Sequence, residues 1–429
     1  MSKFHAPYTI IRTFLSITKE LPDQFERKRV WGPRSVMIWL MLLTFPDRKT
    51  SYRRCLPVLM GFAQRTFGWI KMPSLGSITP ARAKMLPSEC RSVLRMVIDR
   101  CEKTLGMVKH RYGTRRFIAF DGTRLITPRS HDTVIKLHRY KGPGGKKTHY
   151  PQGLMVTAVD VFRRLPLDWI FVGKGTGERT AMKGLLETLS MKEGDVAIMD
   201  RGLPSRKLFG LLLERGVDIV ARMSTSRAIA WKEVAEFLKT KKRNGVISIQ
   251  VGESGAKRDI SVRLVERDRK RGRPRKGTKK ESMLILTTLK EEDGFARDEI
   301  IRIYGARWGI ETLFKELKSF MGIEPMHSEN TASCEQEICA SLIWMALGTL
   351  IQAEAESGLM DGRKVVRTDC LRAASDILGN LLEGRSIDYL WNISIEALRQ
   401  FSYAPKPGRH ATRECKMPFG RSITRRKNK

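Results

Sequence analysis

The sequence is short of acid. Its 429 residues hold 45 Asp plus Glu against 80 Lys plus Arg, a formal charge of +35. That imbalance argues against a typical metabolic enzyme and asks for a polyanionic partner, although charge alone does not separate DNA from RNA or an anionic lipid surface. The chain also lacks any CxxC pair. Its cysteines, at 55, 90, 101, 334, 339, 370 and 415, are odd in number and scattered, which excludes a zinc knuckle and a disulfide framework and points to reduced thiols in a cytoplasm. No apolar run is long enough to cross a bilayer. The longest, Val36 to Phe45 and Ala340 to Ile351, read as buried helices, so no membrane is expected. The N-terminus has polar and charged residues scattered among Phe4, Ile10, Ile11, Phe14 and Leu15, without the separate basic and apolar blocks of an export signal. A phosphate loop of the Walker type is missing too: Gly173-Lys-Gly-Thr-Gly177 lacks the G-x4-G-K-[ST] order and reads as a turn. No internal repeat is found.

What is present is a change of pattern along the chain. Residues 1–110 read as a helical region expected to bind DNA, with apolar residues at three- and four-residue spacing in Val36 to Leu43 and in Val93, Leu94, Val97 and Ile98. Within it, Thr79 to Leu86 and Ser88 to Arg100 fit a helix-turn-helix or plain helical packing equally in form. From Arg116 short apolar runs alternate with turns. Strands are predicted at 117–120, 154–159 and 169–172, then helix 178–189, strand 196–199, helix 206–215 and strand 218–221. Three strands, helix, strand, helix, strand is the order of an RNase H-like α/β core, assigned here to 111–223 and resumed at 284–350. A basic, β-leaning insertion (224–283) interrupts it, with strands predicted at 246–251 and 260–265, and a further strand at 283–287 leads back into the core. A helical region with a basic tail (351–429) closes the chain.

Asp121 follows the first predicted strand in Phe117-Ile-Ala-Phe-Asp-Gly-Thr123, and Asp200 follows the fourth in Val196-Ala-Ile-Met-Asp-Arg-Gly202. A carboxylate at a strand end projects into a crevice while the strand stays in the core, where a metal ligand belongs. Asp-Gly and Asp-Arg-Gly are also ordinary turn formers. The third element adds weight. Tyr304, Arg307, Glu311 and Lys318 stand at offsets of 0, 3, 7 and 14 residues, which on a continuous helix places them within an arc of about 60°. Ile303, Ile310, Leu313, Leu317 and Phe320 fall on another arc, so one side can be buried and the other presented. A carboxylate flanked by two cations and a phenol suits a metal-bound phosphate; a solvated salt-bridge stripe has the same pattern.

The helix Tyr304-Gly-Ala-Arg-Trp-Gly-Ile-Glu-Thr-Leu-Phe-Lys-Glu-Leu-Lys318 resembles in full the Y-x2-R-x3-E-x6-K signature of bacterial insertion-sequence DDE transposases of the IS-four type. Asp-Gly-Thr123, and Asp-Arg-Gly202 with Ser205, are similar to that family's two aspartate motifs, in order and at suitable spacing, and Gly177-Glu-Arg-Thr180 is similar as well. The resemblance covers about residues 112 to 330. It implies that Asp121, Asp200 and Glu311 bind two Mg²⁺ ions, with Mn²⁺ as a substitute, and that Tyr304, Arg307 and Lys318 hold DNA phosphates. It implies cut-and-paste transposition: cleavage at terminal inverted repeats and strand transfer into double-stranded target DNA, by a homodimer assembled on DNA in the bacterial cytoplasm. Some relatives carry a Trp, on which a flipped base stacks, at the start of the strand leading into the glutamate helix. This chain has Met283 there, which lacks an aromatic face. Trp231 is a substitute by type, or a core residue.

Weaker signals surround these. Arg271-Gly-Arg-Pro-Arg275 looks like an A/T minor-groove hook through Arg271, Arg273 and Arg275, or a nonspecific phosphate-binding loop. Lys141 to His149 reads as a loop able to touch phosphate. Asp160 and Glu178 are rival carboxylates, one ending a strand and the other starting a helix. A nuclease of the same fold without strand transfer, and an inactive DNA-binding relative, are the alternative functions.

Overall fold

The computed structural model describes residues 14–21, 31–46, 51–106, 111–140, 145, 147–226, 230–253, 255–267, 283–324, 326–360 and 362–405. Arg271, Arg273 and Arg275, most of the loop from Lys141, and the basic tail lie outside them. The N-terminal helices are α1 (Pro33–Leu43), α2 (Tyr52–Phe67), α3 (Ile78–Lys84) and α4 (Pro87–Gly106). The α/β part runs β1 (Phe117–Ile126), α5 (His131–Lys136), β2 (Gln152–Asp160), β3 (Leu165–Val172), α6 (Glu178–Thr188), β4 (Val196–Met199), α7 (Arg206–Glu214) and β5 (Asp218–Met223). After it come α8 (Lys232–Lys239), β6 (Asn244–Val251), β7 (Arg258–Arg267), β8 (Met283–Thr287), α9 (Arg297–Ala306), α10 (Trp308–Lys315), α11 (Thr331–Ser357), α12 (Arg367–Leu382) and α13 (Asp388–Gln400).

All eight strands join one sheet in the order β3-β2-β1-β4-β5-β8-β7-β6. The β1, β2 and β3 meander is antiparallel, whereas β4 and β5 add in parallel, each after a helix that crosses over the sheet. This is the RNase H-like core expected from the element order. Phe117 to Phe120 and Val196 to Met199 are buried on both faces, which is why those strands read as unbroken apolar runs. The stretch expected as an insertion interrupting the core is an extension of its sheet. β8 pairs with β5 on one side and β7 on the other, so β6 and β7 prolong the same surface. Trp231 precedes α8 with its ring edge-on to Phe209 and the Arg206 guanidinium over it, so it serves packing here.

The core is closed by α11, the longest apolar helix. Its length and composition would let it cross a membrane, yet 94% of its most apolar window is buried inside the protein. Against it lies α4, with Cys90, Val93, Leu94, Val97 and Cys101 all buried. On its other side, α4 sets Arg91 over the Trp169 ring and Arg95 against Asp168. It is thus packed between layers and does not project as a free recognition helix, which favours plain packing over a helix-turn-helix. A buried polar knot ties α3 to α11: Arg82 donates to Glu337 at 3.0 Å, to Gln336 at 3.0 Å and to the Ser333 carbonyl at 2.8 Å. Pairing of this kind keeps a charge tolerable inside a core.

Candidate active site

The two aspartates occupy one level of the sheet. β1 and β4 pair in parallel up to Phe120 opposite Met199, and the next residue on each strand is Asp121 and Asp200. At that level the parallel pairing ends, at the carboxyl end of the pair, the usual ligand position in such sheets. Asp121 does not follow β1, as the sequence reading had it, but lies within it, still paired with Thr157 of β2. β1 is longer than its apolar run because β2 supports it for six further residues, to Ile126. Asp200 does leave its strand. Its carbonyl accepts from Leu203 at 3.0 Å, and Ser205 then caps α7 by accepting from Leu208 at 3.2 Å. Gly122 lies close to Glu178, since a Cβ there would stand 2.9 Å from its carboxylate and the Glu178 side chain would have to shift. Glu178 opens α6, and its neighbour Arg179 donates to the Gly202 carbonyl at 2.7 Å, so this turn spans both aspartate loops.

The helix carrying Tyr304 to Lys318 is irregular and not broken: Arg307 keeps helical dihedrals, and its N–H donates to the Tyr304 carbonyl at 3.1 Å. α9 stops at Ala306, Arg307 sits in a turn, α10 follows, and residues Glu316–Phe320 form a π-helical turn closed by Met321 N–H to the Glu316 carbonyl at 2.9 Å. A single helical wheel therefore does not describe the face, and the residues reach the site by different means. Tyr304, at the end of α9, donates its hydroxyl to Asp200 Oδ1 at 2.9 Å. Arg307 sends Nη2 to Glu311 Oε1 at 2.5 Å and Nη1 to Asp121 Oδ2 at 3.6 Å. Lys318, carried by the π turn, reaches the Arg124 carbonyl on β1 at 2.5 Å and Glu324 at 3.8 Å. Tyr304 and Arg307 thus reach the aspartates, and Arg307 ties Glu311 to Asp121, whereas Lys318 lies three residues further along β1. Arg222 on β5 was missed by the sequence reading. Its Nη1 lies 3.6 Å from Asp200 Oδ1, and alternation along a strand predicted at 218–221 could have found it.

The electrostatics separate the two aspartates. Burial raises the Asp121 carboxyl from 3.8 to about 6, helped by the nearby Glu178 and Asp200 carboxylates and opposed by the Gly122 N–H and Arg307. Asp200 is lowered. Burial works against its charge too, but the Arg201 N–H, the Tyr304 hydroxyl, Arg307 and Arg222 outweigh it. Tyr304 is raised, chiefly by burial and then by the Asp200 charge, so it stays a donor. Asp160, the other rival carboxylate, is spent on structure: it accepts from the Phe162 and Arg163 N–H groups and from the Arg163 guanidinium at 2.7 Å.

The profile of the family described as "Transposase DDE domain" matches residues 112–347, more than half of the chain. The chain belongs to this transposase family. No curated protein matches it. Among solved structures, the cryo-EM structure of the piggyBac transposase synaptic complex with hairpin DNA is similar, at 11% identity and a TM-score of 0.45, over 96% of this chain and 87% of that one. The protein is therefore a DDE transposase, and its chemistry is DNA transposition.

The residues of this transposase domain suit divalent ions in chemistry. They are carboxylates, the hard oxygen donors that Mg²⁺ prefers, and burial raises Asp121 against the pull of the Gly122 N–H and Arg307. They do not form a closed cage. Among the described residues no three Asp, Glu, His or Cys side chains are drawn together as a ligand cluster. Arg307 stands between two of the carboxylates instead.

Proposed function

We propose that this DDE transposase is of the insertion-sequence type with the Y-x2-R-x3-E-x6-K signature. In this reading it cleaves DNA at terminal inverted repeats and joins the freed ends to target DNA, with Asp121, Asp200 and Glu311 as ligands of two Mg²⁺ ions and Mn²⁺ as a substitute. The observation that carries this reading is the docking of Tyr304 and Arg307 on both strand-borne aspartates and on Glu311, which is what a shared phosphoryl-transfer site needs. Two divalent ions, when bound, would supply Lewis-acid stabilisation of the attacking and leaving oxygens of an in-line displacement.

The chain's own groups do the rest. Tyr304 fixes the orientation of the Asp200 carboxylate, and Arg222 backs it. Arg307 has the rigid fork that fits phosphate oxygens, and Lys318 offers a point charge beside β1. A water oxygen bonds to phosphorus as the bridging 3′ oxygen leaves with a proton, and that 3′-hydroxyl later displaces a bridging oxygen in the target strand. Met283 opens β8 opposite Arg267, so a base flipped during hairpin formation would meet a thioether where some relatives offer an indole. DNA contacts by the helical region 1–110 and the basic insertion at Arg271, Arg273 and Arg275, assembly as a homodimer on DNA, and action in the cytoplasm belong to the same proposal. The test is incubation with Mg²⁺ and DNA bearing the element's own ends, followed by sequencing. Joined molecules are expected; cut but unjoined products would make it a nuclease.

A further inference from the structure

The carboxylates of the site are met by two arginines, Arg307 and Arg222. Arg307 bridges Glu311 at 2.5 Å and Asp121 at 3.6 Å, with only 11% of its side chain exposed, and it also acts on Asp200. A guanidinium stays charged at any working pH, so it holds these carboxylates as a resident counterion. A carboxylate oxygen gripped by a guanidinium at 2.5 Å is not free to hold a hard cation, and the fork and the cation compete for the same lone pairs. Arg307 joins α9 to α10 in a helical backbone conformation, and its partner Glu311 is 34% exposed. The other arginine, Arg222, lies 3.6 Å from Asp200.

We infer that Arg307 is a placeholder for metal: it occupies Asp121 and Glu311 while DNA is absent and exchanges them for DNA phosphate, so that metal and DNA each favour the binding of the other. This rests on Asp121 and Glu311 being metal ligands. Phosphate draws the fork off the carboxylates and frees them for metal. By linkage, metal frees the fork for phosphate by the same factor. The transposase would thereby hold little metal until DNA is in place.

The test is calorimetric titration of Mn²⁺ into the full-length, DNA-free protein. Arg307→Gln keeps much of the side chain's length and removes the charge. It should bind Mn²⁺ about tenfold more tightly than wild type, a typical coupling between competing contacts. Equal or weaker binding by a folded Arg307→Gln protein overturns the inference, because a purely structural ion pair gives lower stability with no gain in metal affinity. Should Arg307→Gln not fold, Arg307→Lys, which reaches one carboxylate only, takes its place and should bind with intermediate affinity; unchanged affinity overturns the inference. Asp121→Asn in the Arg307→Gln background separates the two levels: if the double variant binds Mn²⁺ as tightly as Arg307→Gln alone, the ligand assignment itself is wrong. In a second arm, Ca²⁺ should tighten the binding of end-bearing duplex DNA by wild type and much less so by Arg307→Gln. Equal tightening in both would contradict the coupling.

Discussion

The hydroxyl of Tyr304 lies 2.9 Å from Oδ1 of Asp200 and donates to it, joining the glutamate helix to a carboxylate 104 residues earlier in the chain. Tyr304→Phe removes that donor and nothing else of size. Cleavage should fall by about 10- to 100-fold, as when a hydrogen-bond partner of a metal ligand is lost. Because the hydroxyl helps hold the Asp200 carboxyl low, its loss raises that group, and the steeper part of the acid limb of the pH–rate profile, below the one set by Asp121, should begin at higher pH. Single-turnover nicking across pH measures both; an unshifted profile would make the contact structural only.

Asp121 gives a pH dependence of stability whose sign is fixed. Its folded value, about 6, lies above its ordinary 3.8, because burial and then the neighbouring carboxylates favour the neutral form. The folded state therefore binds the extra proton between those values, and the associated stability is present below about pH 3.8 and lost as pH rises through about 6. Without metal or DNA, Asp121→Asn should raise the Tm relative to wild type more at pH 7.5 than at pH 4, while abolishing cleavage. Thermal melting at the two pH values checks this. A larger gain at pH 4 would reverse the argument.

Arg82 and Glu337 form a buried pair 3.0 Å apart, each 3% exposed, that fastens the N-terminal helices to α11. Arg82→Ala leaves Glu337 buried without its guanidinium partner, with His327 still beside it. It should cost about 3–5 kcal/mol of stability, the usual loss when one member of a buried pair is removed. Urea unfolding measures the loss; a change within 1 kcal/mol would show the pair to be dispensable.

Binding to DNA should weaken steeply with salt, the log–log slope being about −0.9 for each phosphate neutralised. Residues 268–280 hold eight Lys or Arg against Asp268. β7 and β8 pair with Arg267 opposite Met283, so deleting 268–280 leaves Glu281 and Ser282 as a two-residue hairpin loop that this register can accept. The deletion should flatten the slope and spare metal-dependent cleavage. Anisotropy titrations over a salt series decide it, and an unchanged slope would show that the segment touches no phosphate.

The core strands were legible because burial on both faces leaves unbroken apolar runs, as in Phe117 to Phe120 and Val196 to Met199. Chain order then pointed to the topology. What the sequence hid was non-local. β6 and β7 look like a separate insertion until their pairing through β8 to β5 is known, and no periodicity reports a pairing partner. Asp121 reads as a turn residue because Asp-Gly is a turn former, yet β2 holds it in the strand. At the site, the residues flanking Glu311 were legible from their spacing. The tight turn at Arg307 and the π turn under Lys318 were not, since both belong to hydrogen bonds that a 100° wheel assumes to be regular. The resemblance assigns Arg307 to phosphate; in this DNA-free structure it lies beside Glu311 and Asp121.

The most direct test of the account takes Asp121→Ala, Asp200→Ala and Glu311→Ala beside wild type on DNA bearing the element's ends, with Mg²⁺, and measures cleavage and strand transfer by sequencing the products. Wild type should cut and join. Each variant should do neither while still binding the ends, because the carboxylates serve the metal ions and the basic surface serves affinity. Substantial cutting by the Glu311 variant would show that another carboxylate, Glu178 first among them, completes the site. Cutting by either aspartate variant would contradict the assignment of the carboxyl end of the parallel pair β1 and β4 as the catalytic centre.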